Sequence, residues 1–254
     1  MEYPEFQRKI AQIKEMGYVQ SHRKGDTGIG KTIEDLLGLK ENNISGPDFT
    51  MHELKSARKN TSSMLTLFTK TPKPKCVNTV LRETYGYPVG EDEVHTKSRQ
   101  VTLSGQVVKN PKFSGDKELH STFDAVKPNN LGFKLGVGAE RVILENTKGI
   151  EAYWDRALLK ESFEKKYHKL AYVLAENKKE DNKELFWYDE AYLLDGFGFD
   201  TFSDLVKEGV VKADIRLGHY ESGPKFGKRH DHGTGFRILP KYLHKCFSKI
   251  DRIL

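Results

Sequence analysis

The sequence predicts a mixed fold of α-helices and β-strands, of the α/β (α+β) class. Apolar residues recur at helical spacing in several short segments, whereas other short segments alternate apolar and polar residues as strands do. The two kinds of segment are interspersed along the chain, and no internal repeat is visible. With 254 residues, of which 37% are hydrophobic, the chain can form one large domain or two small lobes with a sizeable core.

The helical predictions rest on apolar residues that share one face and on glycines that end the pattern. Phe6, Ile10 and Ile13 define the first helix, which ends at Gly17, and Gly38 ends the second. The same reasoning predicts helices over residues 5–16, 32–37, 77–85, 155–167 and 202–207.

The strand predictions rest on alternation or on short apolar runs between polar turns. Residues 51–56 and 64–68 are predicted to pair with each other as a hairpin. The aromatic residues 186–188 favour a core position over a base-stacking surface, and residues 110–130, rich in Pro, Gly, Asn and Ser, are predicted to be irregular. The other predicted strands cover residues 99–108, 131–137, 140–144, 169–175, 185–194, 210–217 and 234–238.

The net charge of +6 is concentrated in one part of the chain. Residues 205–254 hold 11 Lys and Arg against 5 Asp and Glu, a surplus of 6 that equals the whole excess. A localised basic surface is typical of proteins that bind polyanions such as nucleic acid. A solvated, lysine-rich face is the alternative interpretation.

Neither membrane insertion nor export is indicated. No apolar run approaches the roughly 20 residues that span a bilayer, and no apolar stretch follows the N-terminal Met1 as in a signal peptide. The two cysteines, Cys76 and Cys246, provide neither metal-ligand spacing nor a disulfide framework. We therefore expect a protein of the reducing cytoplasm.

Two acids and a lysine around the strand predicted over residues 51–56 give the strongest chemical signal. Asp48 follows a proline just before this strand, which contains Glu53 and Lys55. Because strand side chains alternate, Glu53 and Lys55 share one face while Leu54 points into the core. Asp48 and Glu53 can then converge as oxygen ligands for Mg²⁺, and Lys55 can hold or deprotonate a water that attacks phosphorus. This arrangement predicts a metal-dependent DNA endonuclease.

The pattern alone is not specific. Among 36 acidic and 42 basic residues it also arises by chance, and the alternative is a solvated hairpin carrying an ion pair. Residues 164–166 and 176–178 also read Glu-x-Lys, but neither follows a Pro-Asp pair. Glu34, on the predicted helix shortly upstream, is a further candidate acid; its alternative role is that of a first-turn acid favoured by the helix dipole.

A second motif suggests nucleotide binding. Gly25, Gly30, Lys31 and Thr32 fit the phosphate-binding pattern G-x-x-x-x-G-K-[ST]. Such a loop should follow a buried apolar strand, yet residues 20–24 are polar. A nucleotide hydrolase is therefore the weaker alternative to a loop that opens the second helix.

The basic C-terminal part contains a predicted β-pair, residues 210–217 and 234–238, with a glycine-rich tip that can enter a DNA groove. Arg216 and Arg237 can bond guanine O6 and N7, and Asp214 or Asp231 can accept from cytosine N4.

Other residues near the tip complete the predicted DNA interface. Lys225, Lys228 and Arg229 suit phosphates. His230, Asp231 and His232 are expected to hydrogen-bond to bases, because zinc requires three or four ligands and no further ligand lies at a suitable spacing. The alternative is a turn capped by Asp231.

Taken together, these residues resemble the MvaI/BcnI group of type II restriction endonucleases, which are MutH-like members of the PD-(D/E)xK nuclease superfamily. The resemblance covers nearly the whole chain, and several motifs in one order are more specific than any single motif. In this family the segment that matches the nucleotide loop leads into a helix bearing an active-site acid. The motifs that carry the resemblance are residues 28–37, Pro47-Asp48, Glu53-Leu54-Lys55, and residues 65–70, 174–176, 214–216 and 230–238.

The resemblance implies a restriction-endonuclease-like mixed sheet flanked by helices, in two lobes around a DNA-binding cleft. Residues 1–120 would form the catalytic lobe and residues 121–254 the DNA-recognition lobe, with interleaving of the two lobes along the chain as the alternative. It implies Mg²⁺-dependent hydrolysis of double-stranded DNA at a short CC-N-GG-type site by a monomer, with a DNA methyltransferase as genetic partner.

Carried over by motif, the residue roles are specific. Asp48 and Glu53 would bind the metal, Lys55 would assist the water, and Glu34 would be an auxiliary acid. The residues of the β-pair and Thr69 would contact DNA. Some segments look closer to the MvaI branch and others to the BcnI branch, so the central base pair stays open. A MutH-like nicking endonuclease of DNA repair and a catalytically inactive DNA-binding protein are the alternative functions.

Overall fold

The computed structural model describes residues 1–39, 52–88, 100–103, 106–109, 117–167, 169–220, 224–225 and 228–254. The chain divides into two compact units, each built from segments that are distant in sequence. The first unit comprises Met1–Leu65, Lys160–Ser203 and Leu239–Leu254, and the second comprises Thr66–Leu159 and Asp204–Ile238. No helix in the described ranges is long and apolar enough to cross a membrane.

All five predicted helices form. Phe6, Ile10 and Ile13 are buried, which explains why their spacing predicts the first helix. The second helix begins at Gly28 rather than at residue 32, and it ends at Gly38, whose positive φ of 76° suits glycine. The helices are α1 (Tyr3–Glu15), α2 (Gly28–Leu37), α3 (Val77–Tyr85), α4 (Arg156–Glu164) and α5 (Phe199–Lys207), followed by a 3-10 helix at Pro240–Lys245.

The sheet of the first unit brings together strands that are far apart in sequence. Its order is β1 (Val19–Gln20), β12 (Lys183–Asp195), β11 (Lys169–Glu180) and β2 (His52–Arg58), and β16 (Lys249–Arg252) also pairs with β12. Strands β11 and β12 are antiparallel, whereas β2 runs parallel to β11. The core cluster includes residues of α1, α2, β2, β11 and β12, among them Phe6, Ile10, Ile33, Leu37, Leu54, Val173, Phe186 and Tyr188.

The second unit contains a larger antiparallel sheet and a small one. The larger sheet has the order β3 (Leu65–Thr69), β15 (Gly235–Ile238), β13 (Val211–His219), β7 (Lys117–Phe123) and β4 (Tyr87–Pro88), with β14 (Arg229–Asp231) also on β13. The small sheet has the order β10 (Tyr153–Asp155), β9 (Arg141–Glu145) and β8 (Lys134–Val137). Strands β5 (Gln100–Leu103) and β6 (Gln106–Lys109) pair with each other.

Two strand predictions are wrong. The segments predicted as a hairpin belong to different sheets, because β2 pairs with β11 and β3 pairs with β15. Part of the region predicted to be irregular is strand β7, whose buried Leu119, Ser121 and Phe123 alternate with more exposed residues. The β8–β9 pair, the β13–β15 pair and the core position of Phe186 and Tyr188 are confirmed.

Candidate functional site

Strand β2 places Glu53 and Lys55 on one face of the first unit's sheet. Leu54, between them, faces the core formed with α1 and α2. The Glu53 side chain is only 1% exposed, and Lys55 Nζ lies 2.6 Å from its Oε1 atom. The predicted acid and lysine therefore form an ion pair whose carboxylate is buried, whereas Asp48, the other predicted metal ligand, lies outside the described residues.

A second lysine contacts the same carboxylate oxygen. Lys166, just beyond the end of α4, places its Nζ atom 3.2 Å from Glu53 Oε1. In the sequence, residues 164–166 stand out only as a chance Glu-x-Lys match. No local signal marks Lys166, because it lies 113 residues from Glu53 and approaches through the fold.

The second carboxylate oxygen of Glu53 is left without a hydrogen bond. Oε2 is buried and has no hydrogen-bond partner among the described groups. A buried anionic oxygen without a partner is costly, and a divalent cation such as Mg²⁺ prefers ligands of this kind. Glu53 thus fits the role of metal ligand, with both lysines on Oε1 and Oε2 free to coordinate.

The environment of Glu53 is poorly solvated. The neighbouring Tyr167 is fully buried, and burial, with a smaller contribution from the Glu53 charge, raises the pKa of its phenol well above the usual range. Tyr172 pairs with Lys55 across the parallel strands, and burial raises its pKa to about 12. Both phenols are therefore neutral at physiological pH and add no negative charge beside Glu53, which Lys55 and Lys166 contact.

Helix α2 brings Glu34 near the same strand. Glu34 and Lys55 both line a hollow of about 340 Å³, together with Gly30 and Ser56. Gly30 lies beside Glu34, since a Cβ built on it would be 4.0 Å from Glu34 Oε1, an ordinary van der Waals contact. Three of the four predicted catalytic residues, Glu34, Glu53 and Lys55, therefore lie in one part of the first unit.

The nucleotide-loop interpretation does not fit the structure. Lys31 Nζ lies 2.7 Å from Asp35 Oδ1, and the Thr32 hydroxyl donates to the Gly28 carbonyl over 2.8 Å. The preceding strand β1 has two residues and lies antiparallel to β12. The groups that would hold phosphate and Mg²⁺ in such a loop are thus occupied by contacts within α2.

In the second unit, Asp214 on β13 lies between two arginines. Its side chain is 7% exposed, and its Oδ2 atom accepts a hydrogen bond from Arg237 over 2.8 Å. Arg216 Nε lies 3.3 Å from the same oxygen, and Thr122 donates to Oδ1 over 2.7 Å. Both oxygens of Asp214 are therefore engaged, and its contacts set the positions of the two arginines.

Asp231 is also engaged within the protein. Its Oδ2 atom accepts from Asn78 over 2.8 Å, and its Oδ1 atom accepts from the backbone N–H of Gly233 over 2.7 Å. This geometry is that of a capped turn. Thr69 packs beside this turn, since a Cβ built on Gly233 would lie 3.3 Å from Thr69 Cβ.

The two histidines of the tip form a stack. The ring of His230 lies on Tyr220 with centroids 4.1 Å apart, and the rings of His230 and His232 are 3.8 Å apart. Burial, followed by electrostatic interactions with His230 and Arg216, lowers the pKa of His232. His232 is thus held as a neutral ring that can both donate and accept.

The predicted phosphate-binding residues lie at the more exposed end of this tip. Lys225 and Lys228 are exposed, and Lys225 Nζ lies 5.4 Å from the centre of the Tyr220 ring. Arg229 is also exposed and donates to Glu83 over 3.0 Å. Across the described ranges, no group of three or more His, Cys, Asp or Glu side chains is placed to hold a metal ion.

Comparison with known proteins identifies the family. The model of the MvaI/BcnI restriction endonuclease family matches residues 7–247. A structure described as the restriction endonuclease MvaI–cognate DNA substrate complex is 32% identical, with full coverage of both chains and a TM-score of 0.81. A structure of restriction endonuclease MvaI in the absence of DNA is 30% identical, again with full coverage, and has a TM-score of 0.51. No curated protein matches the chain.

These findings confirm the predicted family, fold class and enzyme class. The mixed sheets flanked by helices are those of a solved restriction endonuclease, and the matched segment spans most of the sequence. The chain belongs to the MvaI/BcnI restriction endonuclease family and is a type II site-specific endonuclease.

Proposed function

We propose that this enzyme hydrolyses phosphodiester bonds of double-stranded DNA at a short CC-N-GG-type site and that it requires Mg²⁺. The observation that supports the catalytic part of this proposal is the buried carboxylate of Glu53. Two lysines contact its Oε1 atom, whereas its Oε2 atom has no hydrogen-bond partner among the described groups. Restriction endonucleases generally need divalent metal ions, which agrees with this donor. The similar MvaI structure with cognate DNA supports the choice of substrate.

The roles of the catalytic residues follow from their contacts. Glu53 Oε2 and Asp48 would hold the metal, which when bound polarises the scissile phosphate and acidifies a water molecule. Lys55 positions the attacking water and offsets the charge that develops on phosphorus. Lys166 is a positioning residue, because its ammonium group stays in contact with Glu53 Oε1 when Lys55 turns towards the substrate. Glu34, in the same hollow as Lys55, serves as the auxiliary acid.

Recognition is assigned to the second unit, so that the catalytic and reading functions lie in different units of the chain. Arg216 and Arg237 read guanine O6 and N7 in the major groove, and Asp214 holds both arginines in place. His230 and His232 hydrogen-bond to bases. The residues proposed to contact the DNA backbone are Lys225, Lys228, Arg229 and Thr69.

Asp214 and Asp231 are proposed as positioning residues rather than as acceptors from cytosine. Both oxygens of each side chain already accept hydrogen bonds from protein groups. An oxygen that met a cytosine N4 amino group would have to share or give up one of these bonds. Asp231 therefore shapes the turn that presents His230 and His232.

The test is digestion of plasmid DNA of known sequence with Mg²⁺ as the only added cofactor, followed by mapping of the cut ends. Glu53→Gln should lower the cleavage rate by roughly 10³-fold, equivalent to about 4 kcal/mol of lost transition-state stabilisation. Glu164→Gln is the matched control, because Glu164 belongs to the second Glu-x-Lys segment and pairs with Lys160.

Each outcome of the digestion has a defined meaning. Cleavage by Glu53→Gln at the wild-type rate would show that the catalytic assignment is wrong. Mapped ends without a common CC-N-GG-type sequence would contradict the proposed site. Accumulation of nicked plasmid that never becomes linear would favour the repair-type nicking enzyme, which acts on one strand.

A further inference from the structure

The first unit contains a basic hollow that the proposed reaction does not use. It encloses about 800 Å³, and all of its walls belong to the first unit. One wall is the loop that precedes α2, the second is the end of β2 with Thr61 and Ser63, and the third is the tip of the β11–β12 hairpin. Its lining includes five cations, Arg23, Lys24, Arg58, Lys179 and Lys183, and two acids, Asp26 and Glu184.

One acid and one cation of the hollow neutralise each other. Arg58 binds Glu184 through two hydrogen bonds of 2.8 Å each. This pair holds the pKa of the Glu184 carboxyl below its usual value, with a smaller contribution from Asn177. Glu184 is therefore a stable part of the wall and does not oppose an incoming anion with a free charge.

The remaining charge lies at the exposed rim. Lys24, Lys179 and Lys183 are exposed, and none of them forms an ion pair with another residue in the described part of the chain. Long lysine side chains that form no ion pair keep their ammonium groups available for a ligand. With the Arg58–Glu184 pair set aside, these three lysines face one acid of the lining, Asp26.

The loop wall is fixed before any ligand binds. Ser21 N–H donates to the Glu184 carbonyl over 2.8 Å, and His22 N–H donates to the Thr32 hydroxyl over 2.9 Å. Gly28 packs so closely that a Cβ on it would lie 2.4 Å from the Arg23 carbonyl oxygen. The part of the nucleotide-loop motif near Lys24 and Gly25 thus forms a preformed basic edge, although its Lys31 and Thr32 are engaged elsewhere.

The basic hollow adjoins the hollow that contains Glu34 and Lys55. Arg23 and Asp26 line both hollows. A phosphodiester chain that leaves the catalytic residues can therefore continue past Arg23 towards Lys24 and Lys183.

We propose that the basic hollow binds the phosphodiester backbone of duplex DNA that flanks the recognition site. This inference rests on the proposed function and extends it, because it assigns affinity to DNA that the enzyme neither reads nor cuts. Backbone contacts of this kind are independent of sequence and depend strongly on salt.

The experiment compares duplexes that share one recognition site and differ in flank length. One duplex carries only a few base pairs beyond the site, and two others are extended on one side or on the other. Binding is measured with Ca²⁺ in place of Mg²⁺ over a range of salt concentrations, and cleavage of the shortest duplex is measured in parallel with Mg²⁺.

The test variant is Lys24→Met/Lys183→Met. On the duplex extended towards the hollow it should bind roughly tenfold more weakly than wild type at low salt, and its salt slope should fall by about 2. Binding and cleavage of the shortest duplex should equal those of the wild-type enzyme. The control is Lys160→Met/Lys165→Met, which removes the same charge from lysines that already pair with Glu164 and Glu161.

The outcomes separate this inference from the proposed function. The inference would be overturned if the wild-type enzyme bound the extended duplexes no more tightly than the shortest one. It would also be overturned if the test variant lost the same affinity for all three duplexes. Normal cleavage of the shortest duplex in the same experiment would leave the proposed function intact. Binding of a nucleoside triphosphate, lost in the test variant and without any flank effect on DNA, would also overturn it.

Discussion

Replacing Lys166 by methionine tests the assignment of Glu53 most directly. Methionine retains an apolar stem of similar length, so the change removes chiefly the ammonium group that lies 3.2 Å from Glu53 Oε1. Lys55 then remains as the single cation on a carboxylate that is 1% exposed. The expected result is a loss of stability without metal and a loss of cleavage with metal.

The magnitude follows from the burial of the two partners. A hydrogen bond to a charged group contributes about 1.5–3 kcal/mol. Because Lys166 itself is 33% exposed, solvent screening reduces its contribution to the free energy of unfolding to about 1–2 kcal/mol. In a protein of this size that corresponds to a decrease in Tm of roughly 2–8 °C. For cleavage, loss of a group that orients a metal ligand costs about 10- to 100-fold.

The assay combines metal-free urea unfolding with single-turnover cleavage. In a double-mutant cycle, Lys166→Met should cost about 1–2 kcal/mol in the wild-type background and nearly nothing in Glu53→Gln. The half-saturating Mg²⁺ concentration should rise, DNA binding in Ca²⁺ should hold, and Lys166→Arg should restore most of the rate. Lys165→Met is the control, because Lys165 pairs with Glu161 one turn earlier. Additive unfolding energies together with an unchanged cleavage rate would refute the positioning role.

Three further predictions concern recognition, packing and pH. Asp214→Asn weakens the hold on Arg237 and should lower cognate DNA binding by about 1–3 kcal/mol with little effect on unrelated DNA, as competition binding would show. Gly28→Ala should destabilise by about 1–3 kcal/mol because the new Cβ would meet a backbone oxygen at 2.4 Å. Gly30→Ala, with its nearest neighbour at 3.9 Å, should stabilise α2 by about 0.5–1 kcal/mol, and urea unfolding separates the two outcomes. The pKa of His232 is lowered in the folded protein, so the free energy of unfolding should be highest above pH 6.5, the ring's ordinary pKa, and should decrease as the pH falls through the lowered value. His232→Gln should remove this decrease from the plot of unfolding free energy against pH.

The helices and strands could be predicted from the sequence because burial of one face gives the apolar residues a regular spacing. Apolar residues on one face predicted α1, and the alternation of β2 put Glu53 and Lys55 together. The pairing of the strands could not be predicted from the sequence, because it depends on partners that are distant in the chain. The parallel alignment of β2 with β11 joins His52 to Lys169, and no local pattern indicates it.

The same limit explains what was missed at the site. Lys166 reaches Glu53 because it lies shortly before β11, the strand that pairs with β2, and its Glu-x-Lys context alone does not distinguish it from chance matches. Asp214 was predicted as a possible acceptor from cytosine N4, yet it is buried. Strand β13 has neighbours on both sides, β7 and β15, and Asp214 is enclosed by Thr122 and Arg237.

The interleaving of the two units along the chain governs the order in which the enzyme can be completed during synthesis. The chain passes between the units after residues 65, 159, 203 and 238. Strand β16 pairs with β12 in the sheet that holds Glu53, so this sheet lacks a strand until Leu239–Leu254 have left the ribosome. The sheet that holds Glu53 is therefore completed only after β13 and β15, the strands that hold Arg216 and Arg237, have been made.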